Sequence, residues 1–129
     1  PAVQKLVDHF QLQTTRVRIH RQLPGQEIPL HTDANNTAVK DKNDYMIRSI
    51  TALTASKDFR YNFIDTEKKR RVQWLRQGET IFFDPDLVAH GMSNESTTET
   101  RYALVQIFKL YPVTAWARDF ISTEKVVTI

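Results

Sequence analysis

The sequence predicts an all-β core of the jelly-roll, or double-stranded β-helix, type with a helix flanking it at each terminus. Three observations carry that prediction. About eight short segments rich in aromatic and β-branched residues follow one another between residues 14 and 110, each closed by a polar turn. Helical periodicity occurs only outside them. No repeat, low-complexity tract or Pro/Gly/Ser linker divides the 129 residues, so one domain spanning 1–129 is expected, large enough to bury a real core.

In chain order, "AVQKLVDHF" first sets Val3, Leu6, Val7 and Phe10 on one helical stripe. The strand segments are "TRVRIHRQL" (15–23), "QEIPLHTD" (26–33), "YMIRSITAL" (45–53), "FRYNFID" (59–65), "RVQWLR" (71–76), "ETIFFD" (79–84), "HGMSN" (90–94) and "RYALVQIFKL" (101–110). Trp74, Phe82 and Phe83 are expected in the core, since jelly-roll strands need large apolar side chains between the sheets. After Pro112, "TAWARDFI" offers the second helix, and both helices are expected to pack on the sheets from outside. Residues 34–44 make a polar connection of unusual length. Such loops often act as lids, and this one is expected to close over whatever the preceding strand holds.

Composition narrows the chemistry. Apolar residues make up 40% and charged residues 26% of the chain, proportions that exclude disordered and fibrous classes. Cysteine is absent, which excludes disulfides, thiolate zinc sites and cysteine nucleophiles, so any metal must rest on histidine and carboxylate. No apolar run approaches the roughly 20 residues of a membrane-spanning helix. The opening "PAVQKLVDHF" is amphipathic and unlike a secretory signal, so a cytoplasmic location with no membrane partner is expected. The net charge of +3 owes much to "EKKRRVQWLR" (67–76), read as a solvated hairpin tip and not as a nucleic-acid surface.

The stretch "IPLHTDANN" (28–36) places His31 and Asp33 two residues apart. If residues 27–33 form a strand, alternation sends both side chains to one face. Of the four histidines, His9 falls in the first helix and His20 shares a strand face with Arg16, Arg18 and Gln22, so both read as surface residues. His90 opens "HGMSN" after the turn around Pro85. Two histidines and one carboxylate from distant points match the facial triad of non-haem Fe(II) oxygenases, which leaves three coordination positions open for a chelating cosubstrate and dioxygen. H-x-D followed by one histidine is a short pattern, equally met in unrelated surface and turn residues. Arg101 adds a partner: it stands eleven residues after His90, on the face of Ala103, Val105 and Ile107. An unpaired guanidinium on an apolar face is costly, so a carboxylate is expected against it. Arg48 shares a face with Met46, Ile50 and Ala52 and is also expected inward, where a core carboxylate such as Asp84 could pair with it.

With His31, Asp33, His90 and Arg101 in that order and spacing, the chain resembles the 2-oxoglutarate/Fe(II)-dependent dioxygenases. "PGQEIPLHTD", "MIRSITAL", "WLRQGETIFFDPDLVAHGMSNES" and "TRYALVQIF" are similar to the aspartyl/asparaginyl β-hydroxylase branch of that family. The resemblance implies Fe(II) held by His31, Asp33 and His90, with 2-oxoglutarate as cosubstrate and its distal carboxylate on Arg101. Arg48 matches a branch arginine near the cosubstrate, and no catalytic residue is implied beyond the metal ligands. The implied reaction hydroxylates a C–H bond of a second substrate, a small molecule or a Pro, Asp or Asn residue of a peptide or protein, and releases succinate and carbon dioxide. One departure is Asp33, since enzymes of that branch can lack the carboxylate ligand. A cupin-like metal-binding or small-molecule-sensing domain without turnover is the rival reading, and Arg101 discriminates, because such a domain has no use for a carboxylate clamp.

Overall fold

Every strand segment read from the sequence forms a strand. The computed structural model describes residues 13–33, 45–65, 67–86, 88–110 and 126–128, and both expected terminal helices and the 34–44 connection lie outside them. The strands are β1 (Gln13–Gln22), β2 (Glu27–His31), β3 (Tyr45–Ala52), β4 (Phe59–Ile64), β5 (Arg70–Gln73), β6 (Thr80–Phe83), β7 (Ala89–Asn94), β8 (Arg101–Leu110) and β9 (Val126–Thr128). The last of these, three residues long, carries no periodic signal in the sequence. Among the described residues no helix is long and apolar enough to cross a membrane.

The strands form two antiparallel sheets, ordered β1-β8-β3-β6-β9 and β2-β7-β4-β5. The pairings β1 with β8, β2 with β7, β3 with β6 and β4 with β5 nest inside one another. The chain therefore behaves as one long hairpin rolled up on itself, which is the topology of a jelly roll. Alternation decides what each strand buries: along β8, Arg101, Ala103 and Val105 are buried and Tyr102 between them is exposed.

The core lies between the sheets. Ile50, Ala52, Ile81, Phe83, Ala103 and Val105 come from the first sheet and Tyr61, Phe63 and Met92 from the second. Phe63 and Phe83 meet edge to face with ring centroids 5.2 Å apart, an arrangement that adds about 0.5–1.5 kcal/mol to the area both rings bury. Phe82 is buried on the other face of its sheet, where it stacks on Phe108. Trp74 departs from the expected core position. It is 53% exposed because it lies beyond the end of β5, where its indole N–H donates to the Lys57 carbonyl at 2.9 Å. At the β4–β5 tip Lys68, Lys69, Arg70 and Arg71 are exposed. The buried Asp65 carboxylate organises the turn, accepting from the backbone N–H of Glu67 and Lys69 and from Arg71 Nε.

Candidate metal centre

His90 sits on β7 between two partners, opposite His31 of β2 on one side and Phe63 of β4 on the other. Its side chain is buried, its ring 4.9 Å from Phe83 and 4.5 Å from His31. His31 reaches the same place by an irregularity. The β2–β7 register shifts by one residue between Ile28 and His31, a stretch that includes Pro29, and β2 is an edge strand, where a missing N–H costs least. Ile28 and His31, three apart, consequently both face inward, which strict alternation forbids. Gly91 makes room for this bulge: a Cβ there would lie 2.5 Å from the Ile28 carbonyl oxygen and 3.0 Å from the Pro29 carbonyl carbon.

Asp33 arrives by a different route from the continuous strand over 27–33 that its spacing suggests. β2 ends at His31, and the Asp33 N–H donates to the Pro85 carbonyl at 2.9 Å, which ties it to the turn before His90. That turn is itself closed by Asp84, whose carboxylate accepts from Asp86 N–H and whose carbonyl accepts from Val88 N–H.

The three side chains converge. Asp33 Oδ1 lies 3.4 Å from His31 Nε2 and 3.5 Å from His90 Nε2, and one ligand atom from each residue falls within 4.8 Å of the others. Backbone carbonyls settle the imidazole tautomers. Nδ1 of His31 lies 2.9 Å from the Pro29 carbonyl and Nδ1 of His90 2.8 Å from the Val88 carbonyl, so each Nδ1 must carry the proton it donates. Both Nε2 atoms then turn a lone pair toward Asp33, the preparation seen in metal-binding histidines.

A positive charge already occupies this focus. Arg48 of β3 reaches across from the other sheet, donating through Nη1 to His90 Nε2 at 2.9 Å and pairing through Nη2 with Asp33 Oδ2. The carboxylate it meets is therefore Asp33. Burial would raise the Asp33 pKa, but the neighbouring His90 side chain and the Arg48 charge outweigh it and hold the carboxyl below its ordinary value. Two lone pairs and a carboxylate that gather a guanidinium present the donor set of a divalent-cation site.

The centre opens on a cavity of about 220 Å³ between the sheets. Ile50, Met92, Val105 and Ile107 form its apolar part, and Arg16, Arg18 and His20 of β1 form one wall. His20 thus belongs to the cavity and not to the outer surface. Burial, with the charges of Arg48 and Arg18 behind it, pushes its pKa down. The inward face of β1 is its polar one, while Val17 and Ile19 are 55% and 66% exposed.

Arg101 is fully buried on the same inward face of β8 as Val105 but does not line this cavity. Its Nη1 donates to the carbonyls of Arg60 and Ser93 at 2.9 and 3.2 Å and to Gln22 Oε1 at 3.3 Å. The guanidinium carbon lies 3.9 Å from the centroid of the Tyr61 ring. Nε and Nη2 have no hydrogen-bond partner among the described residues. Its partners include no carboxylate, and burial holds its pKa below the ordinary value, with Tyr61 acting in the opposite direction.

Comparison with solved structures finds this fold among oxygenases. The chain is similar to a non-heme monooxygenase solved as a ThoJ–Ni complex, with a TM-score of 0.64 and 14% identity over 87% of this chain and 51% of that one. It is similar also to an oxidoreductase of the 2OG-Fe(II) oxygenase family from Burkholderia pseudomallei, with a TM-score of 0.57 and 17% identity over 81% of this chain and 48% of that one. The chain therefore spans about half the length of these structures. No family model and no curated protein sequence matches it. At such identities the likeness defines an oxygenase-like jelly-roll fold.

Proposed function

We propose that this chain is a 2-oxoglutarate- and Fe(II)-dependent dioxygenase that hydroxylates a C–H bond of a second substrate. The observation that carries the reading is the convergence of His31 Nε2, His90 Nε2 and the Asp33 carboxylate at the edge of a partly apolar cavity, with both imidazole tautomers set for coordination. When bound, Fe(II) with 2-oxoglutarate and dioxygen supplies the oxidising power and releases succinate and carbon dioxide. The protein supplies position. His31, Asp33 and His90 would hold the metal from one side and leave the cavity side open. Arg101, a buried cation whose partners include no carboxylate, would hold the distal carboxylate of the cosubstrate. Arg48, turned away from Asp33 by a bound metal, would face the cosubstrate's other end. Ile50, Val105 and Ile107 keep water from the reacting carbon. The resemblance to the aspartyl/asparaginyl β-hydroxylase branch favours a Pro, Asp or Asn residue of a peptide or a small molecule as substrate.

The test is anaerobic titration with Fe(II), followed by succinate release from 2-oxoglutarate in air. Wild type should bind one Fe(II) and release succinate. His31→Ala and His90→Ala should lose both while keeping the β-sheet circular dichroism of the parent. Full iron binding in both variants would sink the assignment, and iron binding without succinate release would favour the cupin-like metal-binding reading.

A further inference from the structure

Among the described residues, the cavity wall facing the metal centre carries more positive than negative charge. Arg16 and Arg18 stand two apart on the inward face of β1, with His20 next in line and Arg48 beside them on β3. Among the described residues Asp33 is the one acidic side chain in the lining, and Arg48 already pairs with it. Arg16 and Arg18 have no ion-pair or hydrogen-bond partner among the described residues, and their charges push the Arg48 pKa down, after burial, which has the larger effect. Arg16 and Arg18 are exposed yet line the cavity, so two neighbouring guanidiniums stand at its mouth on the opposite side of β1 from Val17 and Ile19.

Register separates this wall from Arg101. On the β1–β8 pair, Arg18 lies opposite Val105 and Arg16 opposite Ile107, whereas Gln22 lies opposite Arg101. At roughly 3.3 Å per residue, the backbone of Arg18 is about 13 Å from that end of the strand pair and Arg16 about 20 Å. The two sites are therefore distinct.

We infer that Arg16 and Arg18 form a subsite for an oxyanion group, a carboxylate or a phosphate, on the substrate that enters this cavity. Guanidiniums suit such groups because their fork of donors matches two oxygens at once. The anion would sit at the mouth on the exposed Arg16 and Arg18, leaving the carbon skeleton to lie over Ile50 and Val105 toward the metal centre. This names the substrate class of the proposed oxygenase and rests on that reading for the substrate role, though not for the anion site itself.

The probes are N-acetylglycine against N-acetylglycinamide, and phosphoserine against serine, titrated calorimetrically into protein holding Mn(II) and saturating 2-oxoglutarate. The anionic member of at least one pair should bind at least tenfold more tightly than its neutral partner, and which pair does so separates carboxylate from phosphate. Arg16→Gln/Arg18→Gln should lose that preference tenfold or more while its dissociation constant for 2-oxoglutarate moves less than threefold, and Arg16→Lys/Arg18→Lys should recover part of it. Equal binding of charged and neutral probes would overturn the subsite, as would a double variant that loses 2-oxoglutarate and keeps the probe. Failure of Mn(II) to bind would count against the oxygenase alone, since the same titration of metal-free protein still reads the preference for anions.

Discussion

A guanidinium in a protein interior without a counter-charge is a costly object, and among the described residues Arg101 has none. Carbonyl oxygens, a glutamine oxygen and an aromatic face surround it, none of which carries a negative charge. Losing a charged partner from such a site costs about 3 to 5 kcal/mol in comparable cases. Arg101→Ala is accordingly expected to weaken 2-oxoglutarate binding at least a hundredfold, read by calorimetry on the Mn(II) form, and an unchanged dissociation constant would place the carboxylate elsewhere. At this scale the sequence was partly legible. His31, Asp33 and His90 stood out because few residues in a cysteine-free chain can hold a metal, and the inward face of Arg101 followed from alternation. In the sequence Arg16, Arg18 and His20 read as a surface face, since an amphipathic strand sends its polar face to water, but alternation alone could not show that this face also lines a cavity. In β1 that polar face is exposed at Arg16 and Arg18 and at the same time lines the cavity, and the hint was the period-two repetition of three basic side chains.

Strands were the most legible elements. Short, aromatic and β-branched runs suit strands, and each of the eight predicted segments holds one, although β2 and β5 end short of their predicted limits at His31 and Gln73. What alternation could not supply was the bulge between Ile28 and His31, which needs the identity of the neighbouring strand. Gly91 is the element-scale consequence. A methyl group there meets backbone atoms, and backbone cannot swing aside as a side chain can. Gly91→Ala should therefore push β2 away from β7, costing about 1–3 kcal/mol by overpacking. Because His31 is the next paired residue of β2, Mn(II) affinity should fall at least tenfold in the same variant. Equilibrium urea unfolding and metal titration read the two effects separately. Lost stability with intact metal affinity would show that the strain is absorbed before it reaches His31.

At the scale of the whole molecule, the centre is where the two sheets are joined on the cavity side. Arg48 belongs to the five-stranded sheet, whereas His31 and His90 belong to the other and Asp33 follows it. A divalent ion held by those three residues needs the acceptors that Arg48 now uses. At a separation of about 4 Å and an effective dielectric constant of about 20, a dication and a guanidinium repel by roughly 8 kcal/mol, so the two cannot share the focus and the arginine must turn away. On the proposed function, metal binding would exchange the Arg48 bridge between sheets for a coordinating clamp of His31, Asp33 and His90. Removing the competing charge should favour the metal. Arg48→Gln is expected to bind Mn(II) several-fold more tightly in the absence of cosubstrate, while its metal-free form unfolds at a lower temperature than wild type for want of the bridge. In wild type, free Mn(II) at 100 times its dissociation constant should stabilise the fold by about 2.7 kcal/mol. For a chain of this length that corresponds to roughly 8 °C in the thermal midpoint. Calorimetric scans of both proteins with and without Mn(II) make the comparison. If Arg48→Gln instead weakens metal binding, the guanidinium serves to aim Asp33 at the ion, and the exchange between bridge and clamp does not occur.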